Sequence, residues 1–147
     1  MSVAVASEEA TSSSAAYGRL LPSCFTKEQA AHAMAVSVST VREWLKRGVI
    51  RPMEFDGTRA VFHRDEVALG FVLHAMQEIF GQTSDLAFDV ALTLRPQLRA
   101  VVQWDEEPIA KGPIIARVLC GPVRADVVIR PEAFDVLARR MREAVNG

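Results

Sequence analysis

Two short helix patterns with almost no loop between them constrain this chain more than any other feature. Thr26-Lys27-Glu28-Gln29 fits a capping box, in which the Thr hydroxyl and the Gln side chain satisfy each other's orphan backbone donors. It predicts a helix from Lys27 to Ala35, with Ala31, Met34 and Ala35 on one face and Phe25 placed to staple onto Ala30 or Ala31. Ser37 follows as the next N-cap. Its helix is expected to run to about Arg47, where Gly48 offers a left-handed stop. Within it Val41, Trp44 and Leu45 fall at i, i+3 and i+4, the spacing of a buried stripe. Arg42, Glu43, Lys46 and Arg47 then fall on the other faces. The expected orientation puts the indole inside and its charged neighbours outside.

The next stretch changes period. Asp56-Gly57 between Met53–Phe55 and Arg59–Phe62 is a hairpin signal, with Arg59 just past the tip. Asp65 and Glu66 open a helix expected to reach Phe80. Val67, Leu69, Phe71, Val72, Leu73, Met76, Ile79 and Phe80 wrap most of its circumference, so it must be covered on more than one side. Gly81 ends it. Thr83 or Ser84 caps a further helix, which Pro96 is expected to stop just after Arg95. Beyond it, Val123, Ala125, Val127 and Ile129 alternate with Arg124, Asp126, Val128 and Arg130, the pattern of a half-buried strand. Ile114–Leu119 is its expected partner across Cys120-Gly121-Pro122, and a third strand is considered around Leu98–Trp104. Pro131 opens a last helix with Phe134, Leu137, Ala138, Met141 and Val145 in one stripe. The expected fold class is α+β, mostly α. Three parts are expected: a disordered Ser/Ala-rich tail over 1–22, a helical body over 23–95, and a small α+β dimerisation or partner-binding module over 97–147, built from a β-hairpin and an amphipathic helix.

Composition narrows the function classes. Half of the 147 residues are apolar, which suffices for a core. No apolar run approaches the ~20 residues of a membrane span, and the N-terminus lacks a basic-then-apolar signal pattern. Cys24 and Cys120 stand in no metal or redox spacing and read as free thiols of a reducing compartment. A cytoplasmic, nucleoid-associated location is the expectation. His32, His63 and His74 share no metal spacing. Lys111-Gly112-Pro113 reads as a turn rather than a phosphate loop, and no Ser or Cys has the local signature of a nucleophile. Neither an enzyme, a metal nor a cofactor is expected. The net charge of −1 hides a basic centre: residues 27–64 carry seven Lys/Arg against four Asp/Glu.

Helix, tight turn, helix and hairpin together make a winged helix-turn-helix. Its second helix is short enough to lie in a major groove ~12 Å wide, and its hairpin sets a basic tip on the neighbouring backbone. The candidate DNA-binding residues are Ser39, Thr40, Arg42, Glu43, Lys46 and Arg47 on the helix and Thr58 and Arg59 on the wing. Arg42 is the leading candidate for a base edge, because a guanidinium bonds guanine in bidentate fashion. Glu43 fits either acceptance from cytosine or a local pair with Arg47. Arg51 and Arg64 rank lower.

Residues 26–67 resemble the DNA-binding domain of the MerR-like superfamily and its excisionase-like small winged helices. The matching residues are Ala31, the turn Ala35-Val36-Ser37, Thr40-Val41, Trp44-Leu45, Arg47-Gly48-Val49-Ile50-Arg51-Pro52, Gly57-Thr58-Arg59 and Arg64-Asp65-Glu66-Val67. The likeness extends more weakly to Leu94. It implies binding to double-stranded DNA, with the second helix in the major groove and the wing arginine near phosphate. Three departures stand out. Ala35 occupies a turn position where the family often has glycine, which is tolerable if the backbone there stays out of the left-handed region. Pro96 interrupts the place of the long dimerisation helix, and the effector-site cysteines of the metal-sensing members are missing. The leading expectation is a sequence-specific transcriptional regulator acting as a homodimer. One alternative is a phage-type excisionase, architectural or packaging DNA-recognition factor. Another is an interaction protein whose residues 97–147 bind a protein partner.

Overall fold

The computed structural model describes residues 21–56, 59–82, 85–102 and 112–146. The chain is α+β and mostly helical. In order the described elements are β1 (Cys24–Thr26), α1 (Lys27–Met34), α2 (Val38–Lys46), β2 (Glu54–Asp56) and β3 (Arg59–His63). They continue with α3 (Arg64–Phe80), α4 (Asp85–Thr93), α5 (Arg95–Val102), β4 (Ile114–Cys120), β5 (Val123–Ile129) and α6 (Pro131–Asn146).

The helix starts follow their caps. The Gln29 amide donates to Thr26 Oγ1 at 3.2 Å and the Thr26 amide donates to Gln29 Oε1 at 2.9 Å, closing the capping box of α1. Ser37 Oγ accepts from the Thr40 amide at 3.1 Å and starts α2. The helix ends share one motif. After α2, Gly48 takes φ 74°, the Gly48 amide donates to Leu45 O at 3.1 Å and the Val49 amide to Trp44 O at 2.9 Å. After α1 the same pair of bonds runs from Ala35 to His32 O at 3.2 Å and from Val36 to Ala31 O at 3.0 Å. Ala35 therefore sits at φ 65°, ψ 39°. The condition under which alanine is tolerable there is thus not met, and α1 ends one residue earlier than expected. With only Ala35, Val36 and Ser37 between the helices, the reversal has to begin at once, and the two carbonyl bonds hold the alanine where a Cβ is unfavourable.

Strand β1 had no expected counterpart. Phe25 pairs with Phe62 and Cys24 with His63, so the three-stranded antiparallel sheet has the order β1-β3-β2. Both phenylalanines are buried. On the other side of β3 the register runs from Glu54 opposite Val61 to Asp56 opposite Arg59. Leu21 is buried and accepts a hydrogen bond from Arg64 at its carbonyl, at 3.4 Å. The expected tail through residue 22 thus reaches into the core at its last residues, and its remainder lies outside the described residues.

Helix α3 runs through the middle, packed by α1, α4 and α5. Val67, Ala68, Leu69, Val72, Leu73 and Met76 are buried on its several sides, while Ile79 is left exposed. Gly70 admits the fully buried Met34 side chain against the helix: a Cβ there would lie 2.4 Å from Met34 Sδ. Helix α4 stops at Thr93, and Pro96 stands in the first turn of a new helix rather than ending the old one. Its missing N–H is harmless there, because first-turn amides have no intrahelical acceptor. The strand considered around Leu98–Trp104 is therefore helix as far as Val102, with Leu98 fully buried; Trp104 lies outside the described residues.

The β4–β5 hairpin has the expected partner and turn, Cys120 pairing with Val123. The half-buried reading of β5 holds only at its far end. Ile129 is buried and Val127 partly so, but Val123 and Ala125 are exposed. Helix α6 buries Phe134, Leu137, Ala138 and Met141, but Val145, expected in the same stripe, is exposed. It packs on α1, where the Arg140 guanidinium donates to His32 O at 2.6 Å, a carbonyl that also accepts from the Ala35 amide, and to Ala33 O at 3.4 Å. One apolar cluster extends from Leu21 to Met141, so residues 23–95 and 97–147 share a core.

Ala35→Gly is expected to raise stability by about 1 kcal/mol, since it removes the left-handed penalty while keeping both carbonyl bonds. Chemical denaturation of the two proteins side by side checks this, and a loss of stability would contradict it.

Candidate nucleic-acid interface

Helix α2 has its rotation set by what it buries. Trp44 is 3% exposed and Val41 is fully buried. At about 100° per residue, Ser39, Arg42, Glu43 and Lys46 span an arc of roughly 100° on the opposite side. All four are exposed. The indole points inward among charges because those charges are on the far face.

Thr40 and Arg47 occupy the flank between the two faces. The Thr40 hydroxyl lies 3.0 Å from Ser37 Oγ, within the cap. The Arg47 guanidinium stands 4.3 Å from the centre of the Phe88 ring on α4, a cation–π contact. Both line a groove of about 410 Å³, together with Glu43, His74, Gln77 and Phe88. Two of the eight sequence candidates are thereby partly engaged inside the protein's own surface. Arg59 is exposed at the first position of β3, and Arg51 is exposed between α2 and β2. Thr58 lies outside the described residues.

The exit of α2 is held by a cluster that sequence reasoning missed. Glu66 is buried in the first turn of α3. Its carboxylate accepts from the Arg51 amide at 2.7 Å through Oε1 and is ion-paired with Arg95 through Oε2. Arg95 also donates to the Val49 carbonyl at 2.8 Å. One carboxylate and one guanidinium thus clamp the segment that leads from α2 to the hairpin, and tie it to the starts of α3 and α5. Asp65 beside it accepts from Arg99 Nε at 2.9 Å, and its Oδ1 lies 3.0 Å from His63 Nδ1. Burial pushes the Asp65 carboxyl up, but hydrogen bonds and positive charge from His63 and Arg99 outweigh this, so it titrates below its ordinary value. The only sequence signal for the clamp was a pair of acids ahead of an apolar helix, and those read as first-turn charges. The partners lie 29 and 34 residues away.

Among the described residues no group of three or more His, Cys, Asp or Glu side chains is placed to hold a metal ion, and no helix is long and apolar enough to cross a membrane.

Removing the guanidinium with Arg95→Ala is expected to cost ~3–5 kcal/mol, because it strands a buried carboxylate. Urea unfolding checks this. Asp65 contributes stability that is present above its unfolded value of about 4 and is lost as pH falls through its lower folded value. The wild type is therefore expected to lose stability below about pH 4 more steeply than Asp65→Asn, as read from melting temperatures between pH 7 and pH 3. Equal slopes for the two proteins would contradict the assignment.

No protein-family model matches the chain, and no curated protein matches its sequence.

Proposed function

We infer that this protein binds double-stranded DNA through a winged helix-turn-helix, with α2 in the major groove and the β2–β3 hairpin against the adjacent backbone. The observation that carries the reading is the orientation of α2: Trp44 and Val41 are buried while Ser39, Arg42, Glu43 and Lys46 form one exposed face. A nine-residue helix backed by α1 is about the length that a groove accepts. Lys46, Arg51 and Arg59 supply exposed positive charge on α2, on its exit and at the wing, which suits phosphate contacts.

Within this reading the roles divide by geometry. Arg42 and Lys46 point away from the body, and Arg42 is assigned a guanine edge. Glu43 is assigned an acceptor role at a cytosine. Arg47, over Phe88, braces the flank of the helix and reaches phosphate rather than bases. Arg59 contacts backbone. The function so described is sequence-specific recognition without chemistry, as in a transcriptional regulator. One such module offers few contacts, so two copies reading two half-sites are expected.

In vitro selection from random duplexes tests this directly, and failure to enrich any sequence would defeat it. With a selected site in hand, Arg42→Ala is expected to weaken specific binding by ~1–3 kcal/mol and to relax preference at one base pair. Unchanged affinity for both selected and random duplexes would remove α2 as the reader. Arg59→Ala is expected to weaken binding to all sequences alike and to lower the slope of log K against log salt by about one phosphate contact. A salt titration in which the slope stays the same would exclude the wing contact.

A further inference from the structure

The β4–β5 hairpin leaves several of its large apolar side chains uncovered. Leu119 is 70% exposed, Val123 62% and Val128 54%, and among the described residues no strand pairs with the outer edge of β5. A two-stranded ribbon is marginal alone, and an open apolar edge is a template for another strand.

The backbone of that edge has a definite orientation. Cys120 pairs with Val123 across a two-residue turn in which Gly121 takes φ 60°. In such a hairpin the residues that bracket the turn form the hydrogen-bonded pair, and the pattern then alternates. The N–H and C=O groups of Val123, Ala125 and Val127 thus face β4. Those of Arg124, Asp126 and Val128 face outward.

A strand that pairs antiparallel with its own copy sets one residue on the two-fold axis, and every other pair occurs twice. Centred on Arg124 or on Asp126, the pairing opposes like charges, which is destabilising. Centred on Val127, it sets Asp126 against Val128 and turns Arg124 toward Arg130 of the other copy, a like charge. Centred on Ala125, it sets Arg124 opposite Asp126 twice and Val123 opposite Val127 twice, with the smallest side chain on the axis. In this register the hydrogen-bonded pairs fall on Arg124 and Asp126, whose backbone groups already face outward. Asp126 is also flanked by Arg117 at 3.7 Å and by Arg124 at 4.0 Å within its own hairpin, which holds the carboxylate on that face. The outer edge of β4 has no equivalent register, because Arg117 is the one charged residue in that strand.

We propose that the outer edge of β5 is a homodimer interface, paired antiparallel about Ala125 so that two hairpins form one four-stranded sheet in the order β4-β5-β5-β4. The occupant is a second copy of this chain, selected by the reciprocal match of Arg124 with Asp126. The proposal names the partner that the DNA-binding reading calls for. It is measured without DNA, so its failure and the failure of that reading are distinguishable.

Sedimentation equilibrium of the full chain in the absence of DNA tests it. The wild type is expected to be dimeric. Arg124→Asp and Asp126→Arg are each expected to raise the dimer Kd by about tenfold or more while helical circular dichroism is retained. The two single variants carry complementary charges, so mixing them is expected to give a heterodimer, and combining both reversals in one chain restores the homodimer. A monomeric wild type, a dimer indifferent to both single reversals, or single variants that do not associate when mixed would overturn the proposal. Should a reversal fail to fold, Ala125→Cys in a chain with Cys24 and Cys120 replaced by serine decides the matter. Opposed residues of a non-hydrogen-bonded pair stand about 4.5 Å apart at Cα, within disulfide reach. A covalent dimer is then expected on mild oxidation, and its absence overturns the pairing.

Discussion

Burial of the Trp44 side chain is the interaction on which the arrangement of this molecule depends. It fixes the rotation of α2 about its axis, and a helix has no freedom to turn one face inward without turning the opposite face outward. The outward face here consists of Ser39, Arg42, Glu43 and Lys46. The Schellman-type ends of α1 at Ala35 and of α2 at Gly48 set the angle of α2 to the elements before and after it. The exposed, partly cationic face is a consequence of packing as much as of composition.

Electrostatics inside the protein take over where α2 ends. The Glu66–Arg95 pair satisfies an amide and a carbonyl of the connecting segment, so the exit toward β2 is held by hydrogen bonds as well as by the buried Val49 and Ile50. The same pair fixes the start of α5 against α3, and the neighbouring Asp65–Arg99 bond adds a second tie between those helices. Arg140 does the corresponding work at the far end, giving donors to the last carbonyls of α1 from α6. Long polar side chains thus join the helices at their ends while the apolar cluster joins them along their lengths.

Much of this was legible in local residue patterns. The capping box at Thr26, the cap at Ser37, the left-handed Gly48 and the stripe of Val41 and Trp44 depend on neighbours within four residues, and each appears at its expected place. Both strand pairings of the hairpins were readable for the same reason, although Gly57 and Thr58 lie outside the described residues. What escaped depended on distance. Strand β1 is three residues long and carries no periodicity; it exists because Phe25 can pair with Phe62. Pro96 was read as a stop, since the sequence does not say whether a proline ends one helix or begins another. That choice was decided by burial of Leu94 and Leu98 on either side of it.

Sequence alone determined most of the helices and which side of α2 is apolar, because capping, turn chemistry and the 3.6-residue period act within a few residues. Only the tertiary structure decided that Arg95 clamps the exit of α2, that Arg47 leans over Phe88, and that α6 lies on α1. Those outcomes rest on contacts between residues far apart in the chain. Their free energies belong to a packed arrangement, and no short window of residues contains it.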